Sequence, residues 1–245
     1  MRPFRRARTT GFPPSGNGAS SLHLSLQLPF DAGHLVAAAV TLEVLAPPAV
    51  EHLHFWALQV GFPGTGAAHL GLQWNHRHPG FGAVNWGGYA TSGSLLDGPS
   101  SELASTPDDP NTRDYAWQPG RAYRLSVHRA REHRWRGAVT DVATGVMTTV
   151  RELVVSSEYL SDPLVWSEVF ARCDDPSVTA RWSGFEVVTE RGARRAPRAL
   201  AVHYQSHGDG GCANTTSRLD DQGGVLQVTN TDRVTPQGAA LAVTP

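Results

Sequence analysis

The stretch Leu22-His23-Leu24-Ser25-Leu26-Gln27-Leu28 alternates strictly between leucine and a polar residue. In an extended chain successive side chains point to opposite faces, so four leucines share one side and His23, Ser25 and Gln27 the other. That pattern reads as a strand with one face buried. Working outward, further short apolar runs are bounded by Gly and Pro turns. His34 to Leu45 ends at Pro47-Pro48, and Leu53 to Val60 ends at Gly61-Phe62-Pro63-Gly64. His69 to Asn75 and Ala83 to Trp86 follow, then Tyr123 to Val127, Trp135 to Asp141, Val146 to Val155, Leu164 to Ala171 and Val178 to Val188. Asp141 to Gly145 is a tight hairpin signal. No segment carries a convincing helical stripe. Ten or more short strands joined by turns predict an all-β fold, two packed antiparallel sheets.

The composition agrees. Among 245 residues there are 25 glycines and 17 prolines, so the chain turns often, and a length of this order suffices for a substantial core. Net charge is -1 and all 21 basic residues are arginine, which argues against a generally basic nucleic-acid binder. The N-terminal arginines are followed by Thr9-Thr10-Gly11-Phe12-Pro13-Pro14 rather than an apolar run, and Leu35 to Val50 is broken by Glu43 and Pro47-Pro48. The expectation is therefore a cytoplasmic protein without signal peptide or membrane span, or one exported by an unrecognised route. Cys173 and Cys212 lie 39 positions apart and have no zinc-finger spacing. They are either two reduced thiols or a disulfide.

The expected organisation is a disordered basic tail over 1–20, a sandwich over 21–190, a basic connector over 191–198 and C-terminal strands over 199–245 packed on the sandwich. The polar stretch Thr91 to Asn111 reads as a long loop.

The order Phe55-Trp56-Ala57-Leu58-Gln59-Val60-Gly61, His69-Leu70-Gly71-Leu72-Gln73-Trp74-Asn75 and Asn85-Trp86 is followed by Trp117-Gln118-Pro119-Gly120-Arg121-Ala122-Tyr123-Arg124-Leu125. A hairpin with Asp141 and Thr144-Gly145 comes next, and then Trp166-Ser167-Glu168. Over residues 20 to 190 this resembles concanavalin-like, lectin- and glucanase-type jelly-roll domains of bacteria. The resemblance implies that the all-β fold is a jelly-roll sandwich of two antiparallel sheets, and points toward glycans.

By alternation Gln59, Gln73 with Asn75, and Asn85 each place an amide on a strand face, and neighbouring strands bring these toward one surface. Amides donate and accept, which suits sugar hydroxyls, and an aromatic ring at the margin, Trp56 or Trp86, can stack on a sugar. The competing reading puts the tryptophans in the core and the amides in solvent. Glu168 shares its strand face with Trp166 and Phe170, as an edge residue or as a site carboxyl. The glycosidases of this fold carry paired acids on one strand, and here no second acid follows at i+2 or i+4, which counts against retaining chemistry. The leading expectation is a non-catalytic carbohydrate-binding sandwich taking a glycan or other small polar ligand, with no cofactor, metal, nucleic acid or membrane partner. An enzyme using Glu168 and a structural domain without ligand remain as alternatives.

Other constellations read more simply as surface. The pairs His52/His54 and His76/His78 lack the acid a metal site of cupin type would add. His207, Asp209 and Cys212 share a Gly-rich loop. Asp108, Asp109, Asn111 and Asp114 lack the spacing of a calcium loop. The arginines at 129, 131, 134 and 136 and at 191, 194, 195 and 198 read as a solvated hairpin and connector.

Overall fold

The computed structural model describes residues 8–29, 33–105 and 109–243. Among the described residues sixteen strands follow one another: β1 (Ser20–Gln27), β2 (Leu35–Ala46), β3 (His54–Phe62), β4 (Gly66–Trp74), β5 (Gly82–Ala90), β6 (Thr112–Asp114), β7 (Ala122–Arg131) and β8 (Arg134–Asp141). Then come β9 (Met147–Val154), β10 (Ser161–Val169), β11 (Thr179–Thr189), β12 (Arg194–Arg195), β13 (Ala199–Tyr204), β14 (Thr216–Leu219), β15 (Val225–Val228) and β16 (Ala240–Ala242). The first sheet runs β16-β13-β1-β10-β3-β4-β5-β6 and the second β14-β15-β11-β2-β7-β8-β9, with β12 paired to β11. Every pairing is antiparallel. The sandwich of two antiparallel sheets expected from the alternation is therefore present, with β13 and β16 extending one sheet and β14 and β15 the other.

The core lies between the sheets, because each sheet turns its more apolar set inward. Leu22 and Leu24 are buried there, with Leu26 and Leu28 packed at its margin. Trp56, Leu58, Leu70, Leu72 and Trp86 come from the first sheet, and Val40, Leu42, Leu125, Trp135 and Trp182 from the second. The two indoles of the second sheet find hydrogen-bond acceptors. Trp135 Nε1 donates to the Ser157 carbonyl at 3.0 Å, and Trp182 Nε1 to Gln227 Oε1 at 2.9 Å.

The loop after β5 ties the two sheets together at one edge. Leu96 is buried in the common core, and Val154 N–H donates to the Asp97 carbonyl at 2.7 Å. Asp109 Oδ1 accepts from the Asn111 and Thr112 amides, a turn-forming role; Asp108 lies outside the described residues.

Residues 8–19, within the stretch expected as tail, run along one end of the sandwich; residues 1–7 lie outside the described residues. Thr9 Oγ1 accepts from Ala213 N–H, and Gly11 bonds Asp174 and Cys173. Cys173 and Cys212 form a disulfide, which excludes the free-thiol reading and removes Cys212 as a nucleophile. It closes a 39-residue loop, so the double Cys→Ser variant is expected to lose ~3–4 kcal/mol by the loop-entropy argument. Urea midpoints of parent and variant measure this. Among the described residues no helix is long and apolar enough to cross a membrane.

Candidate functional site

The amides predicted from alternation lie on the outer face of the first sheet, and the register gives their arrangement. In one row Glu168 stands opposite Phe55, Phe55 opposite Gln73, and Gln73 opposite Ala83. The next row is Trp166, Ala57, Gly71, Asn85 and Thr112. The third is Leu164, Gln59, His69 and Gly87. Ala67 and Tyr89 pair one row further on. Adjacent strands lie about 4.8 Å apart, so Gln73 and Glu168 are separated by about 10 Å with Phe55 between them. Ala57, Gly71, Ala83 and Gly87 are the small residues of this patch; Ala57 and Ala83 are fully covered by their neighbours, and the Asn111 side chain lies against Gly87.

Gly71 is required by close approach. A Cβ there would lie 2.0 Å from the Trp56 carbonyl oxygen, so the strands could not keep their spacing. The Gly71→Ala variant is expected to lose ~1–3 kcal/mol through this overpacking, read from its thermal midpoint.

Most polar groups of the patch are oriented. Trp166 Nε1 donates to Gln59 Oε1 at 3.0 Å, and Asn75 Nδ2 to Gln73 Oε1 at 3.0 Å. Asn75 Oδ1 also accepts from Arg77 N–H at 3.1 Å. Asn75 thus holds the Gln73 amide in place, with its own two ends already engaged, and Gln73 is left to donate through Nε2. Asn85 Nδ2 donates to Thr112 Oγ1 at 2.9 Å, while the buried Asn85 Oδ1 has no partner among the described residues. A hydroxyl both donates and accepts, so turning the amide over would leave its nitrogen unpaired instead. Either way one buried polar atom waits for a partner, a cost of about 1–3 kcal/mol if it stays unmet.

His69 and the rings beside it form an aromatic cluster. Phe55 and Trp166 pack edge to face at 4.8 Å, and the His69 ring lies 5.5 Å from Phe55 and 5.7 Å from Trp166. Burial pushes the His69 imidazole down to about 4. Burial also holds the Glu168 carboxyl above the usual range, opposed by a hydrogen bond from Asn17 Nδ2 at 3.0 Å. An acid raised by folding binds its proton more tightly in the folded chain, so its contribution is full at acid pH and is lost as pH climbs through the raised value. The Glu168→Gln variant is accordingly expected to be more stable than the parent at pH 7 and no more stable below pH 4, by urea denaturation at both pH values.

Trp56 and Trp86 require a correction. Both are essentially inaccessible in the inter-sheet core, at 1% and 0% exposure. Their positions alternate with Phe55, Ala57, Asn85 and Gly87, so the outer face is out of their reach, and neither can stack on a ligand there. The exposed aromatic is Tyr89, at 57%. It follows Asn85 and Gly87 on the same face at i+4 and i+2, so the alternation that placed Asn85 also places Tyr89. His69 is reached from Gln73 in the same way.

The remaining constellations do not converge. His54 is buried, with Nδ1 2.9 Å from the His52 carbonyl, whereas His52 is exposed and packs against Phe12. His78 bonds Asp114 at 2.7 Å and His76 is exposed. Among the described residues no three His, Cys, Asp or Glu are grouped as metal ligands would be.

No known family model matches the sequence, and no curated protein matches it. Among solved structures the chain is similar to Scytalido-glutamic peptidase with a peptide-based transition-state analogue, with TM-score 0.48, 10% identity, and coverage of 86% of this chain and 98% of that one. It is also similar to SCP-B, a member of the eqolisin family of peptidases, in a complex with the tripeptide Ala-Ile-His (TM-score 0.46, 9% identity, 86% and 98% covered). Peanut lectin with a nine-residue peptide gives a TM-score of 0.32 at 11% identity, with 77% and 80% covered. At these identities the likeness is one of architecture alone.

Proposed function

We propose that the outer face of the first sheet is a non-catalytic binding site for a glycan or a similar polyhydroxylated ligand. The observation that carries this reading is the unpartnered amide atom of Asn85, in the same row as Ala57 and Gly71. A ligand hydroxyl suits it, because it can donate to Oδ1 or, with the amide turned, accept from Nδ2. Gln73 Nε2 and Gln59 supply further polar contacts, Glu168 lies at the edge, and the exposed Tyr89 offers a ring to the apolar side of a sugar. Hydrogen bonds of about 0.5–1.5 kcal/mol each on an open face support weak binding, with a Kd of about 0.1–1 mM.

The test is a glycan array followed by calorimetry on the best ligand. Tyr89→Ala is expected to weaken binding about tenfold or less, since a ring contact contributes roughly 0.5–1.5 kcal/mol. It should leave the melting temperature unchanged, because the side chain is exposed. Gln73→Ala should also weaken binding. A parent that retains no glycan, or binding indifferent to both changes, would instead favour the structural domain.

The raised carboxyl of Glu168 favours a second reading, an enzyme with this group as proton donor. Its weakness is geometric. Asp114 shares the face by register but lies four strands away, about 19 Å at ordinary strand spacing. Paired-acid glycoside hydrolysis needs roughly 5–9.5 Å. Release of reducing ends by the parent, abolished in Glu168→Gln, would establish the enzyme and displace the binding reading.

A further inference from the structure

The outer face of the second sheet holds an open depression of about 550 Å³ that plays no part in the proposal above. Its floor follows from the register. Ala39 stands opposite Ser126 on one side and Glu186 on the other, and Ser126 stands opposite Ala138. Ala37 continues the low ground between Val188 and His128. Alanine is a poor strand residue, and solvent-facing sheet positions ordinarily carry longer side chains. The short side chains of Ala37, Ala39 and Ser126, which line the depression on two neighbouring strands, therefore sink the surface where it would otherwise be filled. The volume lies in the range of small-molecule sites.

Charge is unequal at one wall. Arg124 and Arg194 both turn to the single carboxylate of Glu186, at 3.6 and 2.6 Å. Arg124 also donates through one nitrogen to the Gly184 carbonyl. A guanidinium has five donors in a planar fork, so Arg124 keeps donors for a second acceptor. Thr41 and Thr140 flank it in the register, and Thr140 lines the depression. The apolar lining comes from Ala37 and Val188, the latter beside Arg194 in the register, and from Val142 at the hairpin rim next to the Arg124 row. At the far end burial and the neighbouring Arg136 keep His128 below the ordinary imidazole range. It adds a neutral polar group.

We propose that this depression is a second ligand site, for a small organic carboxylate whose anionic end pairs with Arg124 and whose apolar body rests on the Ala37/Ala39 floor. Guanidinium and carboxylate match in planar, two-pronged geometry. The two arginines carry one charge more than Glu186 neutralises, and the ligand carboxylate supplies it. The site is separate from the amide face of the first sheet, so either proposal can fail alone.

The probes are benzoate and hexanoate, with benzamide and hexanamide as neutral controls, titrated into the full chain and followed by amide chemical shifts. The expected result is saturable shifts for the acids, clustered at residues 37–39, 124–128 and 186–188, and none for the amides. Arg124→Gln should weaken benzoate binding tenfold or more. Ala39→Phe should abolish it by filling the floor. Glu186→Gln should strengthen it at least threefold by removing the competing carboxylate, a gain that damage to the fold would not produce. Shifts that are absent or scattered, benzamide binding as well as benzoate, or affinity unchanged in Arg124→Gln would each overturn the proposal.

Discussion

Trp86→Ala is expected to lower stability by about 3–5 kcal/mol, the usual cost of deleting a fully buried tryptophan. The ring has 0% exposure, its Nε1 donates to the Trp135 carbonyl at 3.3 Å, and it lies directly against Gly137. A Cβ at Gly137 would stand 2.5 Å from the indole Cγ, so the ring and the glycine are fitted to each other across the two sheets. The variant therefore leaves a cavity that neighbours from both sheets close only in part. In a chain of this size such a loss corresponds to roughly 6–20 °C in melting temperature. Thermal unfolding of parent and variant measures it. A ligand-stacking Trp86 would behave oppositely, with an unchanged melting temperature and lost binding, and that outcome would reverse the assignment of this side chain to the core.

The sequence carried the class of fold because alternation is a local property. Leu22 to Leu28 can be read without knowing what β1 pairs with. The pairing itself, β1 between β10 and β13, joins segments about 140 and 180 residues away, and nothing local encodes it. The candidate site was legible to the same extent. Gln59, Gln73 and Asn85 do share a face, because parity is set along each strand and the register keeps it in step. Which parity faces inward was harder to see, since β3 is buried on both sides, with Phe55 and Ala57 outward and Trp56 and Leu58 inward. Hydrophobicity alone cannot separate those two sets. Tyr89 follows from the same parity, four positions after Asn85. The depression on the second sheet is not local in sequence: Ala37-Ala38-Ala39 reads as part of an apolar strand, and only the register shows Ser126 beside it.

Acidification from pH 7 to pH 4 is expected to remove several kcal/mol of stability. His54, at 2% exposure, and His69 are both pushed down from 6.5 to about 4, in each case mainly by burial. Folding disfavours their protonated forms. Their contribution is therefore full above the unfolded value, begins to fall as pH drops below about 6.5, and is lost through the folded value near 4. A displacement of that size corresponds to on the order of 3 kcal/mol for each group. Glu168 works the other way and offsets part of the loss. Urea midpoints across pH 4–7 should fall steeply for the parent and more gently for His54→Gln/His69→Gln; equal slopes would contradict the lowered values of the two imidazoles. The same shift bears on the proposed binding face. His69 is already neutral at pH 7, so in a Glu168→Gln background glycan affinity should stay level between pH 5.5 and 8. A titration step centred near 6.5 would require a freely solvated imidazole at the site, which the contacts of His69 with Phe55 and Trp166 do not allow.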